Sequence, residues 1–306
     1  MLKGSFIAAC LAAVACLAPA AQAADMLDPN TPKDAIKLNR KVQCSVKDYE
    51  ATVYHWQGRL YSRRLGERDR HLFNLQGMNV RQCVTVKDKK RGTGFRMVSR
   101  EIMLYLDPKT NELLDQWENP FTGETIDVIH VANDPVNMRG ATFPKKADGS
   151  DFTYPMRISN GKVFMTAEVP LFYTNALAGD FQTYVGNHYQ AMEIFDFIAD
   201  EEDLLNPKTD IAYPTVAWVR VAQWLPWMEM GSRPGFMIAN AAGQKLNSFD
   251  ELPAILKDTI AERYPEYTAP PPSDDTRPNE TSWTFFKKVL SERMAKDGKK
   301  ASAAKH

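Results

Sequence analysis

The densest run of chemically useful side chains is His130-Val-Ala-Asn133-Asp134-Pro135-Val-Asn137. A histidine at a strand end beside an aspartate has the makings of a general acid or base, its ring oriented by the carboxylate. The same residues also make a capped turn, because Asn133 and Asp134 bond backbone amides readily and Pro135 fixes the chain. A second set emerges from alternation, since every other side chain of a strand shares a face. Tyr189, Ala191, Glu193, Phe195 and Phe197 form one such file, with Glu193 the polar intruder. Phe95, Met97, Ser99, Glu101, Met103 and Tyr105 form another, interrupted by Glu101. In Val216, Trp218, Arg220, Ala222 and Trp224 the intruder is Arg220, flanked by two indoles.

If these faces meet, Glu101, Glu193 and Arg220 gather round one cavity, where a carboxylate stays ionised only when a guanidinium or several donors hold it. Such a group serves either as a buried structural ion pair or as the polar end of a small-molecule site with aromatic walls. The walls would be Trp218, Trp224, Tyr189 and Phe195, with Trp227 added by the run Trp224-Leu-Pro-Trp227-Met-Glu-Met230. That run reads equally as the cover of a core. His188 and His55 lack a partner nearby in sequence. No dinucleotide fingerprint, P-loop, HExxH, EF-hand loop, GxSxG elbow or Cys-His cluster occurs, so no metal and no cofactor is indicated.

The elements that must position these groups are mostly strands. Period-two or short apolar runs cover Ala51 to Tyr61, Leu72 to Val86, Phe95 to Asp107, Glu112 to Asn119, Glu124 to Val131, Val163 to Tyr173, Asn187 to Ile198 and Thr215 to Trp224. The turns Asp107-Pro-Lys-Thr-Asn111 and Pro120-Phe-Thr-Gly123 are too short for parallel crossovers, which need a dozen residues or more. Helical spacing predicts a helix over Pro32 to Cys44, with Thr31 as its cap, and two more over Phe249 to Tyr264 and Ser282 to Ala295. The fold expected is a mainly β antiparallel meander curved into a barrel-like sheet, closed or half-closed, with C-terminal helices packed on it.

Residues 1 to 23 read as a signal peptide: Lys3, an apolar run from Phe6 to Ala18, Pro19, then Ala21-Gln-Ala23. The run is shorter than the roughly 20 residues of a membrane span. The rest reads as one β-rich domain, 24 to 295, with a disordered tail from 296. The expected location is the periplasm or the outside of the cell. With 38 basic and 38 acidic residues interspersed, the chain offers no field to attract nucleic acid. Cys44 and Cys83 either pair, as an oxidising compartment permits, or lie buried as free thiols.

Several blocks in order resemble the bacterial family called domain of unknown function 1838: Trp56-Gln-Gly-Arg-Leu-Tyr61, Gly77-Met-Asn-Val80, Ser99-Arg-Glu101, Asp107-Pro-Lys-Thr110, Trp117-Glu-Asn-Pro120, Thr122-Gly-Glu124, His130 to Asn137, Trp224 to Gly231 and Arg277 to Trp283. The resemblance implies a mostly β domain, often exported, and supplies no activity. The residues themselves lead to a binding protein for a small apolar or aromatic molecule. The rival is a cofactor-independent lyase, isomerase or hydrolase using His130 with Asp134 or Glu193.

Overall fold

The computed structural model describes residues 26–138, 140–177 and 188–303; the expected signal peptide lies outside them. Among the described residues eleven strands are found: β1 (Thr52–Arg63), β2 (Arg70–Asp88), β3 (Gly92–Leu106), β4 (Gln116–Glu118), β5 (Thr125–Asp127), β6 (Val131–Asn133), β7 (Arg157–Ser159), β8 (Lys162–Thr174), β9 (His188–Asp200), β10 (Thr215–Ala222) and β11 (Phe236–Leu246). Nine form one antiparallel sheet in the order β6-β3-β2-β1-β11-β10-β9-β8-β7, while β4 and β5 make a separate ribbon. The helices are α1 (Pro32–Gln43), α2 (Glu201–Leu204), α3 (Ala254–Arg263) and α4 (Ser282–Ala303). Among the described residues no helix is long and apolar enough to cross a membrane.

The sheet curls without closing. From β3 to β9 there are five steps, which would set them about 24 Å apart in a flat sheet. Yet Met103 and Tyr105 of β3 line the same hollow as Tyr189 of β9 and Trp218, Arg220 and Ala222 of β10. The expected closed barrel is nevertheless absent, because β6 and β7, each three residues long, end the pairing on either side. Edges this short offer little for a neighbour to pair with.

A concave face has less room than a convex one, and the sequence supplies small side chains there. The cross-strand file Gly77, Trp56, Gly243 and Val216 lies beside the file Gly58, Ala241 and Trp218, both on the inner face. A Cβ on Gly77 would stand 2.3 Å from the Trp56 ring, and one on Gly243 would stand 2.0 Å from the His55 carbonyl oxygen. The strand glycines thus permit close approach of ring to backbone and of strand to strand.

Helices fill both faces. On the convex side, Leu256 and Ile260 of α3 and Tyr267 cover Val53, Met78, Val80, Ile102 and Leu104. On the concave side, α1 plugs one end, with Leu38 and Val42 against Val163, Met165 and Ala199. Its last turn is held by polar contacts. The Tyr54 hydroxyl donates to the Val42 carbonyl at 2.6 Å, and the Lys245 ammonium donates to the carbonyls of Lys41 and Cys44 at 2.7 and 2.8 Å. A disulfide between Cys44 and Cys83 ties the same turn to β2. At the other end, Trp283 and Phe286 of α4 pack with Trp224, Trp227, Met228 and Met230.

Three expectations need correction. The expected strands Glu112 to Asn119 and Glu124 to Val131 give only the short β4–β5 ribbon, and β6, which begins at Val131, returns to pair with β3, so the meander is broken. Thr31 makes no side-chain cap; its hydroxyl donates to Asp28 instead. The terminal helix runs on to Ala303 through an Ala- and Lys-rich stretch of good helix formers, where a disordered tail was expected.

The two glycines should respond differently to a methyl group. Gly77→Ala is expected to cost about 1–3 kcal/mol, most of it recovered in a Trp56→Ala background, because the obstacle is a side chain. Gly243→Ala meets backbone, and its cost should persist in that background. Urea denaturation of the four variants checks both.

Candidate functional site

The inner face is sealed at both ends and open in the middle. Tyr54 and Lys245 at one end, and Leu60, Ala222 and Tyr189 at the other, are buried. Between them Trp56, Glu101, Glu193, Phe195 and Arg220 are only half-buried, and Ala167 and Val169, opposite Phe195 and Glu193 on β8, are exposed. Accessible side chains in the middle of a capped face mean a cleft opening over β8.

Arg220 and Glu193 stand directly opposite each other on β10 and β9. The Arg220 Nη1 group donates to Glu193 Oε1 at 3.1 Å, and Nη2 donates to the Tyr189 hydroxyl. Burial alone would depress the guanidinium, but Glu193, Tyr189 and Tyr105 outweigh it and raise its pKa. The pair keeps 22% and 15% of its side-chain surface accessible, so it faces open space rather than packed hydrocarbon.

Glu101 enters from β3. Its Oε1 accepts from the Asn133 amide at 2.9 Å across the β3–β6 pair. Burial raises its pKa; Glu193 adds to that rise, while Asn133, Arg220 and Arg81 oppose it, and the net shift is upward. A carboxyl raised in this way beside an Arg–Glu pair takes up a proton more readily than a free one. Lower on the same inner face, the half-buried Arg81 guanidinium meets Asn79 and Gln43 and lies over the Tyr54 ring.

The structure therefore brings together Glu101, Glu193, Arg220, Trp218, Tyr189 and Phe195. It sets the others apart. Trp224 donates its indole N–H to the Arg233 carbonyl and packs on Phe121, while Trp227 packs among Phe73, Tyr105 and Trp117, so both belong to the end cap. His130 is 4% exposed and stacks on Tyr105, and its Nδ1 accepts the Tyr105 backbone N–H at 3.1 Å. Asp134 does not orient it. That carboxylate holds Arg100 and Arg277, each at 2.9 Å, and so fastens the segment before α4 to β3. His55 meets Gln76, and His188 stacks on the exposed Phe172.

Sequence reasoning passed over Trp56, which lies in the open middle of the face, and three further contributors. Tyr105 shares the face file of Glu101 and reaches the hollow beside Arg220. Asn133 turned out to be the partner of Glu101. Ser282, the first residue of α4, lines the same hollow; nothing local in the sequence signals that placement.

The hollow at Arg220 measures about 20 Å³. A larger one, about 530 Å³, lies at the strand ends and shares Ala222 with it. Most of its lining, including Phe172, Gln190, Met192, Val221 and Phe236, comes from the outward face, so it is not part of the cleft.

A family model described as "Protein of unknown function (DUF1838)" matches residues 49–290. The chain belongs to the DUF1838 family. No curated protein and no solved structure matches it. The family match takes in every residue of the cleft named above, from Trp56 to Ser282, and leaves α1 outside.

Two predictions follow from these charges. Burial pushes the His130 imidazole down to about 4 from the usual 6.5; Arg263 acts in the same direction and Asp115 against it. The fold then holds the neutral ring, so stability is complete above pH 6.5 and falls as pH drops toward 4, by up to about 3 kcal/mol. His130→Gln should be less stable at pH 7 and show a flatter acid limb in urea melts. For the ion pair, Arg220→Met alone should cost about 1–3 kcal/mol, while Arg220→Met with Glu193→Leu should return to within about 1 kcal/mol of the parent. Additive losses would show that the pair is not coupled.

Proposed function

We propose that this protein is exported and binds a small, largely apolar or aromatic molecule in the cleft on the inner face of its sheet. One observation carries the reading: Glu101, Glu193 and Arg220 keep part of their surface accessible, 22% for the Arg220 and 15% for the Glu193 side chain, at the centre of a face whose two ends are packed shut. A purely structural ion pair has no need of open space around it, whereas a ligand site combines apolar walls with a few convergent polar groups. Trp56, Trp218 and Phe195 supply the walls here. The leader-like residues 1 to 23 and the Cys44–Cys83 bond, of a kind that persists in oxidising compartments, support export.

Catalysis through His130 has less support. Its Nδ1 is engaged by backbone, Asp134 serves two arginines, and besides burial the charges that act on it are those of Arg263 and Asp115.

A thermal-shift screen with aromatic, sterol and fatty-acid probes tests the reading. At about 100 times its Kd, a true ligand adds about 2.7 kcal/mol, or roughly 4–5 °C for a chain this long. The shift should vanish in Ala167→Trp, which fills the mouth of the cleft without touching the core. Stabilisation by none of the probes, or a shift that survives Ala167→Trp, contradicts the proposal.

A further inference from the structure

The hydrogen-bonding groups round the small hollow are unbalanced. It is lined by Tyr105, Tyr189, Trp218, Arg220 and Ser282 among apolar neighbours. Tyr105 is 1% and Trp218 9% exposed; among the described residues the Trp218 indole N–H has no hydrogen-bond partner, and the Tyr105 hydroxyl, whose oxygen faces the Trp227 N–H, has no acceptor for its own proton. Buried donors of this kind are seldom left unmatched, because each costs about 1–3 kcal/mol when it loses water and gains nothing in return.

The start of α4 adds to the excess. Thr281 and Thr284 cap it reciprocally: the Thr281 hydroxyl accepts the Thr284 N–H at 3.2 Å, and the Thr284 hydroxyl accepts the Thr281 N–H at 2.8 Å. That leaves Ser282 and Trp283 in the first turn, where helix N–H groups have no partner within the helix and the dipole is positive. Ser282 faces the hollow. The helix end and the two unmatched side chains thus converge on one place from opposite sides.

The indole and backbone N–H groups can only donate and the Tyr105 hydroxyl has a proton to give, so the missing member is an acceptor. Its charge follows from what is already present. Arg220 is matched by Glu193 at 3.1 Å, and Glu101 stands near enough to act on both. A further carboxylate would meet two glutamates, and a cationic ligand would stand beside the Arg220 guanidinium, which itself lines the hollow. The space, about 20 Å³, exceeds the roughly 10–15 Å³ that one water-sized group requires.

We propose that the hollow seats the carbonyl oxygen of a neutral ligand, held by the Tyr105 hydroxyl, the Trp218 N–H and the first turn of α4, with the apolar body lying in the cleft over Phe195. The inference rests on the binding function proposed above and narrows the ligand to an aromatic or other apolar ketone, aldehyde or ester. Arg220 is a positioning residue for Tyr189 and Glu193 in this arrangement.

Binding of 2-acetylnaphthalene, its near-isostere 2-isopropenylnaphthalene and 2-naphthoate, followed by calorimetry and tryptophan fluorescence, provides the test. The ketone is expected to bind at least tenfold more tightly than the alkene and than the carboxylate. Tyr105→Phe and Trp218→Phe, each checked for folding by circular dichroism, should each narrow the ketone-to-alkene ratio by about fivefold or more. Equal binding of ketone and alkene to the parent protein overturns the carbonyl assignment and leaves the apolar cleft standing. Tightest binding by naphthoate overturns the neutral-ligand argument. Failure of all three to bind removes the binding function and this inference together.

Discussion

The arrangement depends on one steric constraint: a nine-stranded sheet curls this far only where its inner face is starved of side-chain volume. Gly58, Gly77, Ala239, Ala241 and Gly243 supply that deficit on three adjacent strands. Trp56 lies against Gly77 in the space so created. Were these positions β-branched, the inner face would be overpacked and the strands would open out. Curling then brings β3 opposite β9, and groups separated by five strands along the sheet become neighbours across a cleft.

Electrostatics takes over where steric packing stops. A cleft that holds Arg220, Glu193 and Glu101 in partial isolation from water is stable only if charge is matched locally, and Arg220 with Glu193 does this as a direct cross-strand pair. Similar matching by backbone closes the α1 end. The Lys41 ammonium donates to the carbonyls of Asp203, Leu204 and Asn206, and Lys245 donates to those of Lys41 and Cys44, so both lysines satisfy helix-end carbonyls. Burial still lowers the pKa of each; that of Lys41 falls to about 8. Charges sit inside this fold where carbonyls or an opposite charge meet them.

Alternation made the inner faces of β3, β9 and β10 legible, because a lone Glu or Arg in an apolar file stands out whatever the tertiary structure. The strand central to the curl was not legible. Residues 236 to 246 read Phe-Met-Ile-Ala-Asn-Ala-Ala-Gly-Gln-Lys-Leu, with small residues of low strand propensity where a β-branched run would have signalled β11. The smallness that hides it is what the curl requires. His130 and Asp134 misled for another reason: four residues apart they looked like a dyad, but Asp134 turns to arginines from β3 and from the segment before α4, partners distant in sequence. Closure of the barrel was likewise a tertiary matter, decided by how briefly β6 and β7 pair.

The most direct measurement is a ¹³C NMR titration of the Glu101 carboxyl in the parent protein and in Glu193→Gln. The account predicts a midpoint above the ordinary 4.5 that moves down when Glu193 loses its charge, since the two carboxylates sense each other only across the cleft. An ordinary midpoint, unmoved by Glu193→Gln, would mean that β3 and β9 do not face a common space.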